Sequence, residues 1–338
     1  MPRQARIDLP GLLYHVMVRG IERKEIFPEE TDKEDFLERL EKSLTNSGAS
    51  VFAWSIMPNH AHILIMTGEK KLSRIMRGLL SGYATNFNIR HKRTGHLFQN
   101  RYKAVICEED EYLLELVRYI HLNPLRAEIV MDMEQLKGYQ WTGHSVLMGR
   151  RKNEWQETEE VLERFGRKQG KAREKYEEFV NDGISLGKQR KYAGGGLIRS
   201  AGGIEEVLKN RRAKTPELSD ERILGGGGFV ESVLRGEEKK DKLKVEMKKK
   251  LDIGTLIDKT AERYGLKGEQ IKGKSRIREI VKARAVAVNI GIEYLGVSGR
   301  EFEKELNRCS SGISHLYRIG GDVARRERGI IDGIVKLL

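Results

Sequence analysis

The sequence predicts an α+β fold, in which a ferredoxin-like antiparallel sheet carries helices on one face and an all-helical segment follows. The first observation is that residues up to 123 have the order strand, helix, strand, strand, helix, strand, helix, typical of a split βαβ motif. The second is that this order weakens around the glycine runs at 194–196 and 225–228. The third is that every periodic stretch after about Lys248 has helical spacing. The predicted domains are 1–150, a helical and Gly-rich connector at 151–247, and a helical domain at 248–338.

The predicted strands are short runs rich in β-branched, aromatic and leucine residues. The first is LLYHVMVRG at 12–20, which ends in a glycine. VFAWSIM at 51–57 and HAHILIM at 60–66 are separated by the turn pair Pro58-Asn59, so they predict a hairpin. RYKAVIC at 101–107 is the fourth strand.

The helices of the first domain follow from apolar residues at helical spacing. Residues 32–46 carry Phe36, Leu40 and Leu44 on one face. Residues 71–92 form a long amphipathic pattern. The helix at 109–123 ends before Pro124, because the residue before a proline disfavours helical backbone angles.

The pattern of the C-terminal segment predicts four helices, two long and two short. The long patterns lie at 253–266 and 278–296, each ending near a glycine. The short ones lie at 298–307, where Ser298 is a suitable N-cap, and at 310–321. Two short helices joined by a brief turn predict a helix-turn-helix.

Composition favours a polyanionic partner. The chain has 63 Lys and Arg against 50 Asp and Glu, a formal charge of +13. Such a surface binds phosphates by releasing counterions, although a basic protein without such a partner remains the alternative. Cys107 and Cys309 have no paired spacing, which argues against disulfides and a cysteine zinc site. With no signal-like start and no run of about 18 apolar residues, we expect a cytoplasmic, nucleoid-associated protein with no membrane partner.

Two histidines at alternate positions of a predicted strand suggest a metal site. Side chains at i and i+2 of a strand leave the same face, so His60 and His62 project together. Tyr119 and Asn123 are four residues apart and share a helix face. Imidazole nitrogens and an amide oxygen suit Mg²⁺ or Mn²⁺. Taken alone, the histidines also fit an ordinary sheet surface and Tyr119 a core position, with Tyr112 as the reserve candidate.

Three strings in the first domain, MPNHAHIL, HLFQNRYKA and RYIHLNPLRA, occur in an order that resembles the single-tyrosine HUH transposases. Among these the chain is most similar to the REP-associated tyrosine transposases. The resemblance implies an HUH nuclease core in which His60, His62 and Asn123 hold a divalent metal and Tyr119 is the nucleophile. It also implies cleavage and strand transfer of single-stranded DNA through a 5′-phosphotyrosine intermediate, at hairpin or palindromic repeat DNA.

Basic and aromatic residues near these motifs are candidates for DNA contact, with a solvated charged rim as the alternative for each. The candidates in the first domain are Arg19, Arg74, Arg77, Arg101, Tyr102 and Lys103.

The C-terminal strings KGKSRIREIV and VKARAVAV, followed by the predicted helix-turn-helix, resemble the DNA-binding domain of the replication initiator DnaA. The resemblance implies docking on duplex DNA. The implied contact residues are Lys272, Lys274, Arg276 and Arg278 for phosphates and Ser311, Ser314 and His315 for the recognition helix. The initiator's acidic-His-Thr sequence is replaced by CSSGISHLYR, so its sequence preference is not expected. A helical bundle for protein contact is the alternative.

Three functional hypotheses remain open from the sequence. The leading one is a metal-dependent transposase and single-strand endonuclease with an added duplex-binding domain. The second is a domesticated DNA-binding protein or repressor of palindromic DNA that no longer cleaves. The third is a metallohydrolase of small phosphoesters. This hypothesis does not explain why both the first and the C-terminal domain have predicted DNA-binding surfaces. A homodimer is one arrangement open to the first.

Overall fold

The computed structural model describes residues 6–45, 47–187, 189, 192, 218–250, 253–293, 295–327 and 334. The chain divides into two compact units, Met1–Glu237 and Glu238–Leu338. Among the described residues, no helix is long and apolar enough to cross a membrane.

The first unit is built on a five-stranded sheet. Its strands are β1 (Leu13–Arg19), β2 (Ser50–Met57), β3 (His60–Met66), β4 (Lys103–Cys107) and β5 (Ile223–Leu224). The strand order is β2-β3-β1-β4-β5. β1 is antiparallel to both β3 and β4, and β2 and β3 form the predicted hairpin, whereas β5 is parallel to β4. The mainly antiparallel α+β fold is therefore confirmed, and β5 is an addition from the region that we predicted as connector.

Three main helices connect these strands in the predicted order. They are α1 (Glu30–Leu44), α2 (Leu72–Arg90) and α3 (Glu109–His121). Shorter helices follow: α4 (Asn123–Arg126), α5 (Met133–Gly138), α6 (Gly143–Leu147), α7 (Glu159–Glu163) and α8 (Gln169–Asp182).

Helices cover both faces of the sheet, so the expectation of helices on one face was wrong. Ile63 of β3 packs with Phe36 of α1 and Leu79 of α2. The next residue, Leu64, packs in a separate cluster with Leu116 of α3. Because neighbouring residues of a strand point to opposite faces, α1 and α2 lie on one side of the sheet and α3 on the other. The physical reason is that the strands are buried on both faces: β3 has five consecutive buried residues.

Part of the region predicted as a connector packs into the core of the first unit. Val161 and Leu162 of α7 and Tyr176 and Val180 of α8 are buried in the same cluster as α3. The glycine run at 194–196 lies outside the described residues. The domain boundaries at 150 and 247 remain a prediction.

The second unit is helical, as predicted. After α9 (Gly227–Lys250) its helices are α10 (Ile253–Arg263), α11 (Gly268–Lys272), α12 (Arg278–Glu293), α13 (Gly299–Leu306) and α14 (Ser310–Arg326). Ser298 caps α13, with its side chain accepting from the Glu301 amide. Only three residues separate α13 from α14, and Asn307 among them has a left-handed φ of 47°. The two predicted helices and the brief turn between them are present, although α14 is long and extends beyond the predicted residue 321. Their use as a DNA-binding helix-turn-helix remains a prediction.

A buried hydrogen-bonded cluster links α3, α6 and α8. The Tyr176 hydroxyl lies 2.7 Å from Nδ1 of His121 and 3.1 Å from Nδ1 of His144. Burial, together with the charge of Lys137, lowers the pKa of His144 to about 3, and burial followed by His144 lowers the pKa of His121 well below its usual value. Both imidazoles are therefore neutral in the folded protein at neutral pH.

This cluster predicts that the first unit loses stability in mild acid. In the unfolded chain His144 binds a proton near pH 6.5, but in the folded chain only near pH 3. The contribution of the neutral His144 to the free energy of unfolding is complete above pH 6.5. It is lost as the pH falls from there toward 3, because the unfolded state binds more protons than the folded state in this range. Between pH 6.5 and 5.0 this amounts to about 2 kcal/mol for one imidazole. We expect His144→Gln, which does not titrate, to show a correspondingly weaker loss.

The measurement is urea unfolding of parent and variant at pH 7.5 and 5.0, followed by tryptophan fluorescence. Trp54, Trp141 and Trp155 are the chain's three tryptophans and all lie in the first unit. His96→Gln is the matched control, because His96 is exposed. The same pH dependence in His144→Gln as in the parent would contradict the prediction.

Candidate active site

The register of β1 and β3 places the two histidines of HAHILIM on the face covered by α3. His60 pairs with Arg19 and His62 with Met17. Their imidazoles share that face, with ring centroids 5.3 Å apart. The predicted common orientation of His60 and His62 is confirmed in geometry.

Helix α3 brings Tyr119 to this imidazole pair. Leu116 and Ile120 of α3 are buried against the sheet, and this packing fixes the rotation of the helix. The Tyr119 ring then meets the His62 ring edge-on, with centroids 6.1 Å apart. Tyr119 is 9% exposed, and its hydroxyl makes no hydrogen bond within the described part of the chain.

Each histidine of the pair is held through its Nδ1 atom. His60 Nδ1 lies 2.6 Å from Oδ1 of Asn59, and His62 Nδ1 lies 2.8 Å from Nε2 of His15. The Nε2 atoms of His60 and His62 have no hydrogen-bond partner among the residues described, so each can ligate a metal in the tautomer that has its proton on Nδ1. His15, on β1, was not predicted; its place at alternate spacing from Met17 and Arg19 was the signal that could have found it.

The electrostatics keep these imidazoles neutral, which is the form that binds metals. Burial, with a smaller contribution from Arg19, lowers the pKa of His60 to about 4. Burial first, and then His15, His60 and Arg19, hold the pKa of His62 well below its usual value. Burial and Lys103 lower the pKa of His15 to about 3. Two neutral imidazoles with free Nε2 atoms fit a divalent cation that takes its remaining ligands from oxygen.

Asn123 and Tyr112 are the other residues predicted for this site. Asn123 begins α4, one helical turn after Tyr119, and its buried Nδ2 has no hydrogen-bond partner in the described structure. Tyr112 is half-buried at the other end of α3, where burial and then Glu111 raise its pKa. The described ring contacts join Tyr119, not Tyr112, to the histidines.

An arginine that sequence reasoning missed lies beside Tyr119. Arg126 donates to the Tyr119 carbonyl oxygen at 3.2 Å, and its guanidinium carbon is 5.4 Å from the centre of the phenol ring. Burial raises the pKa of Tyr119, whereas the charges of Arg126 and Arg19 act in the opposite direction. Tyr119 and Arg126 also line a cavity of about 180 Å³, together with Arg118 and Tyr192. The string RYIHLNPLRA contained Arg126, but nothing in its spacing indicated this contact.

Three of the predicted DNA-contact residues border the imidazole pair. Arg19, Arg101 and Lys103 line a cleft of about 230 Å³ that also includes His60. All three cations are exposed. Lys103 is paired with Met17, so it shares the face of His15 and His62.

The remaining predicted residues of the first unit lie elsewhere. Arg74 and Arg77 belong to α2, which packs on the opposite face of the sheet. Tyr102 is only 8% exposed and packs in the core of that same face, with the Arg6 guanidinium 3.8 Å over its ring. The Arg6 guanidinium covers the ring, and DNA contact by Tyr102 stays a prediction.

The cations at the cleft predict a specific loss of DNA affinity. We expect Arg101→Gln with Lys103→Gln to weaken binding of a single-stranded oligonucleotide about tenfold or more at 0.1 M salt, because two phosphate contacts are removed. The slope of log affinity against log salt should fall by about 1.4, at roughly 0.7 for each contact on a single strand. Fluorescence anisotropy at several salt concentrations measures both. Arg77→Gln is the control on the other face, and an equal loss there would contradict the assignment of the cleft.

The predicted contact residues of the second unit are all exposed to solvent, but one of them is held in an ion pair. Lys274, Arg276 and Arg278 are exposed, whereas Lys272 pairs with Glu305 at 2.5 Å. Buried Arg284 donates to the carbonyl oxygens of Ile271 and Gly273. These bonds fix the backbone where α11 ends and the loop toward α12 begins. The three residues predicted at the start of the recognition helix are also exposed: Ser311, Ser314 and His315.

The first unit is an α+β domain whose sheet gathers two histidines and a tyrosine on one face. Residues 9–123 match the model of the family described as "Transposase IS200 like", so this segment of the chain is similar to that family. The resemblance drawn from the three N-terminal strings is therefore confirmed. The family match ends at residue 123, so the resemblance of the C-terminal segment to the initiator domain remains a prediction.

A similar solved structure is described as "Structure of the REP associates tyrosine transposase bound to a REP hairpin". It is 16% identical with a TM-score of 0.37, and the match covers 46% of this chain and 98% of that chain. No curated protein matches the chain.

Proposed function

We propose that the first unit is a divalent-metal-dependent enzyme that cleaves and rejoins single-stranded DNA at hairpin or palindromic sequences. The observation that carries the proposal is the meeting of two neutral imidazoles and a phenol on one face of a transposase-family sheet. His60 and His62 lie side by side, and the Tyr119 ring touches His62. All three come from one chain, so the proposed chemistry does not require a second copy.

The residues that would hold the metal are His60 and His62 through Nε2, with Asn123 as a further oxygen ligand. Bound Mg²⁺ or Mn²⁺ would supply Lewis-acid stabilisation of the charge that develops on the scissile phosphate. The residues of the chain orient this centre, because Asn59 and His15 fix the two rings through their Nδ1 atoms.

Tyr119 would supply the nucleophile. Its oxygen forms a bond to phosphorus as the bond from phosphorus to the 3′-oxygen breaks. The products are a 5′-phosphotyrosyl enzyme and a free 3′-hydroxyl, with the phenol proton lost to solvent and one proton gained by the 3′-oxygen. Since one phosphoester replaces another, a second 3′-hydroxyl can reverse the step and rejoin DNA. The positive charges of Arg126 and Arg19 favour the ionised phenol against the effect of burial.

A polymer suits the site better than a small phosphoester does. The cleft beside His60 is lined by three cations, which can follow consecutive phosphates of a single strand. The resemblance of the three N-terminal strings is the basis for proposing hairpin DNA. For the second unit we propose docking on duplex DNA, with Lys274, Arg276 and Arg278 on phosphates and Ser311, Ser314 and His315 toward base edges.

The experiment is incubation of the full chain with a hairpin-bearing oligonucleotide and Mn²⁺, followed by denaturing electrophoresis and peptide mass mapping. We expect a covalent protein–DNA adduct on the peptide that contains Tyr119. An adduct on the peptide containing Tyr112 would identify Tyr112, instead of Tyr119, as the nucleophile. Tight binding without an adduct under any divalent metal would instead support the second hypothesis, a DNA-binding protein that no longer cleaves.

A further inference from the structure

A third imidazole lies on the site face without belonging to the predicted metal site. His15 is 1% exposed in the centre of β1, between its neighbours Leu64 on β3 and Val105 on β4. Its ring stacks on His62 with centroids 5.0 Å apart and an interplanar angle of 25°. Its Nε2 atom lies 2.8 Å from Nδ1 of His62.

The direction of this hydrogen bond decides what His62 can do. Two neutral imidazoles can share one proton between these atoms in only two ways. If His15 donates, His62 carries its own proton on Nε2 and cannot ligate a metal through that atom. If His62 donates from Nδ1, its Nε2 atom keeps the lone pair that a metal requires.

The other histidine of the pair has a matching arrangement. Nδ1 of His60 lies 2.6 Å from Oδ1 of Asn59, and an amide oxygen can only accept. With the side-chain amide oriented in this way, His60 donates from Nδ1 and leaves its Nε2 atom free. Asn59 itself is fixed by a bond from its Nδ2 to the Arg23 carbonyl oxygen at 3.0 Å. An acceptor behind each Nδ1 atom would therefore direct both Nε2 lone pairs outward.

We propose that His15 is a positioning residue that accepts a hydrogen bond from His62 Nδ1–H and so holds His62 in its metal-binding tautomer and orientation. This inference rests on the proposed metal site. His15 cannot ligate the same ion through Nε2 while that atom faces His62 Nδ1, so it acts through His62.

Two substitutions of similar size separate the hydrogen bond from the packing. His15→Gln provides an amide oxygen that can accept from Nδ1–H, whereas His15→Met fills a similar volume without a strong acceptor. Mn²⁺ alone is the probe, titrated into the full chain by calorimetry, and thermal unfolding reports folding. We expect His15→Met to weaken Mn²⁺ binding by about 10- to 100-fold relative to the parent, with His15→Gln within a few-fold of it.

The outcomes distinguish this inference from the proposed function. Equal Mn²⁺ affinity in the parent and His15→Met, with both folded, would overturn the positioning role even if adduct yield fell. Equal weakening in the Gln and Met variants, or no Mn²⁺ binding by the parent, would overturn it as well. Mn²⁺ binding that responds to His15 as expected, in a chain that forms no DNA adduct, supports the inference and counts against the proposed function.

Discussion

Replacing Tyr119 by phenylalanine should abolish the covalent DNA adduct and leave the fold unchanged. The substitution removes one oxygen, and that hydroxyl makes no hydrogen bond within the described residues. We therefore expect little change in the free energy of unfolding. The ring contact with His62 is kept. Because the proposed nucleophile is gone, cleavage should fall by several orders of magnitude, as removal of a catalytic nucleophile does elsewhere. Denaturing electrophoresis after incubation with a hairpin oligonucleotide and Mn²⁺ measures the adduct.

The matched control is Tyr112→Phe, which makes the same chemical change on the same helix. Tyr112 lies near the start of α3 beside Glu111. We therefore expect cleavage by Tyr112→Phe to stay within a few-fold of the parent. Mn²⁺ binding should be the same in both variants. An adduct that persists in Tyr119→Phe and disappears in Tyr112→Phe would reject Tyr119 as the nucleophile.

Replacing either His60 or His62 by glutamine should remove most of the affinity for Mn²⁺. Each substitution deletes one of the two nitrogen ligands, and this should cost more than the 10- to 100-fold typical of residues that only support a ligand. We therefore expect binding to weaken more than about a hundredfold. Adduct formation should fall in parallel, because the phosphate loses its Lewis acid.

His96→Gln is the control for these two variants. His96 is exposed and belongs to the HLFQNRYKA string, so it tests whether any nearby histidine matters. Calorimetry gives the Mn²⁺ affinity of all three variants. Unchanged binding in His60→Gln and His62→Gln would show that the pair is not the metal site, whatever the effect on cleavage.

Local sequence patterns determined the elements of the first unit and the direction of the histidine pair. Successive side chains of a strand point to opposite faces, so His60 and His62 of HAHILIM share a face, whatever packs there. The Pro58-Asn59 turn produces the hairpin, and Pro124 ends the helix that carries Tyr119. These features depend on interactions between residues close in sequence, which is why they can be read without a structure.

Tertiary packing determined which of these residues meet. Helices on both faces separate Arg74 and Arg77 from Arg19, Arg101 and Lys103. They also bury Tyr102 and bring Tyr119 to His62.

His15 shows why this could not be read from the sequence. It is 47 residues from His62, and its hydrogen bond depends on the register between β1 and β3. Many registers and packings are compatible with the same local pattern, and a shift of one residue would send His15 to the opposite face. The sequence therefore specified the elements and the side chains that they present, whereas long-range pairing and burial decided which of those side chains form a site.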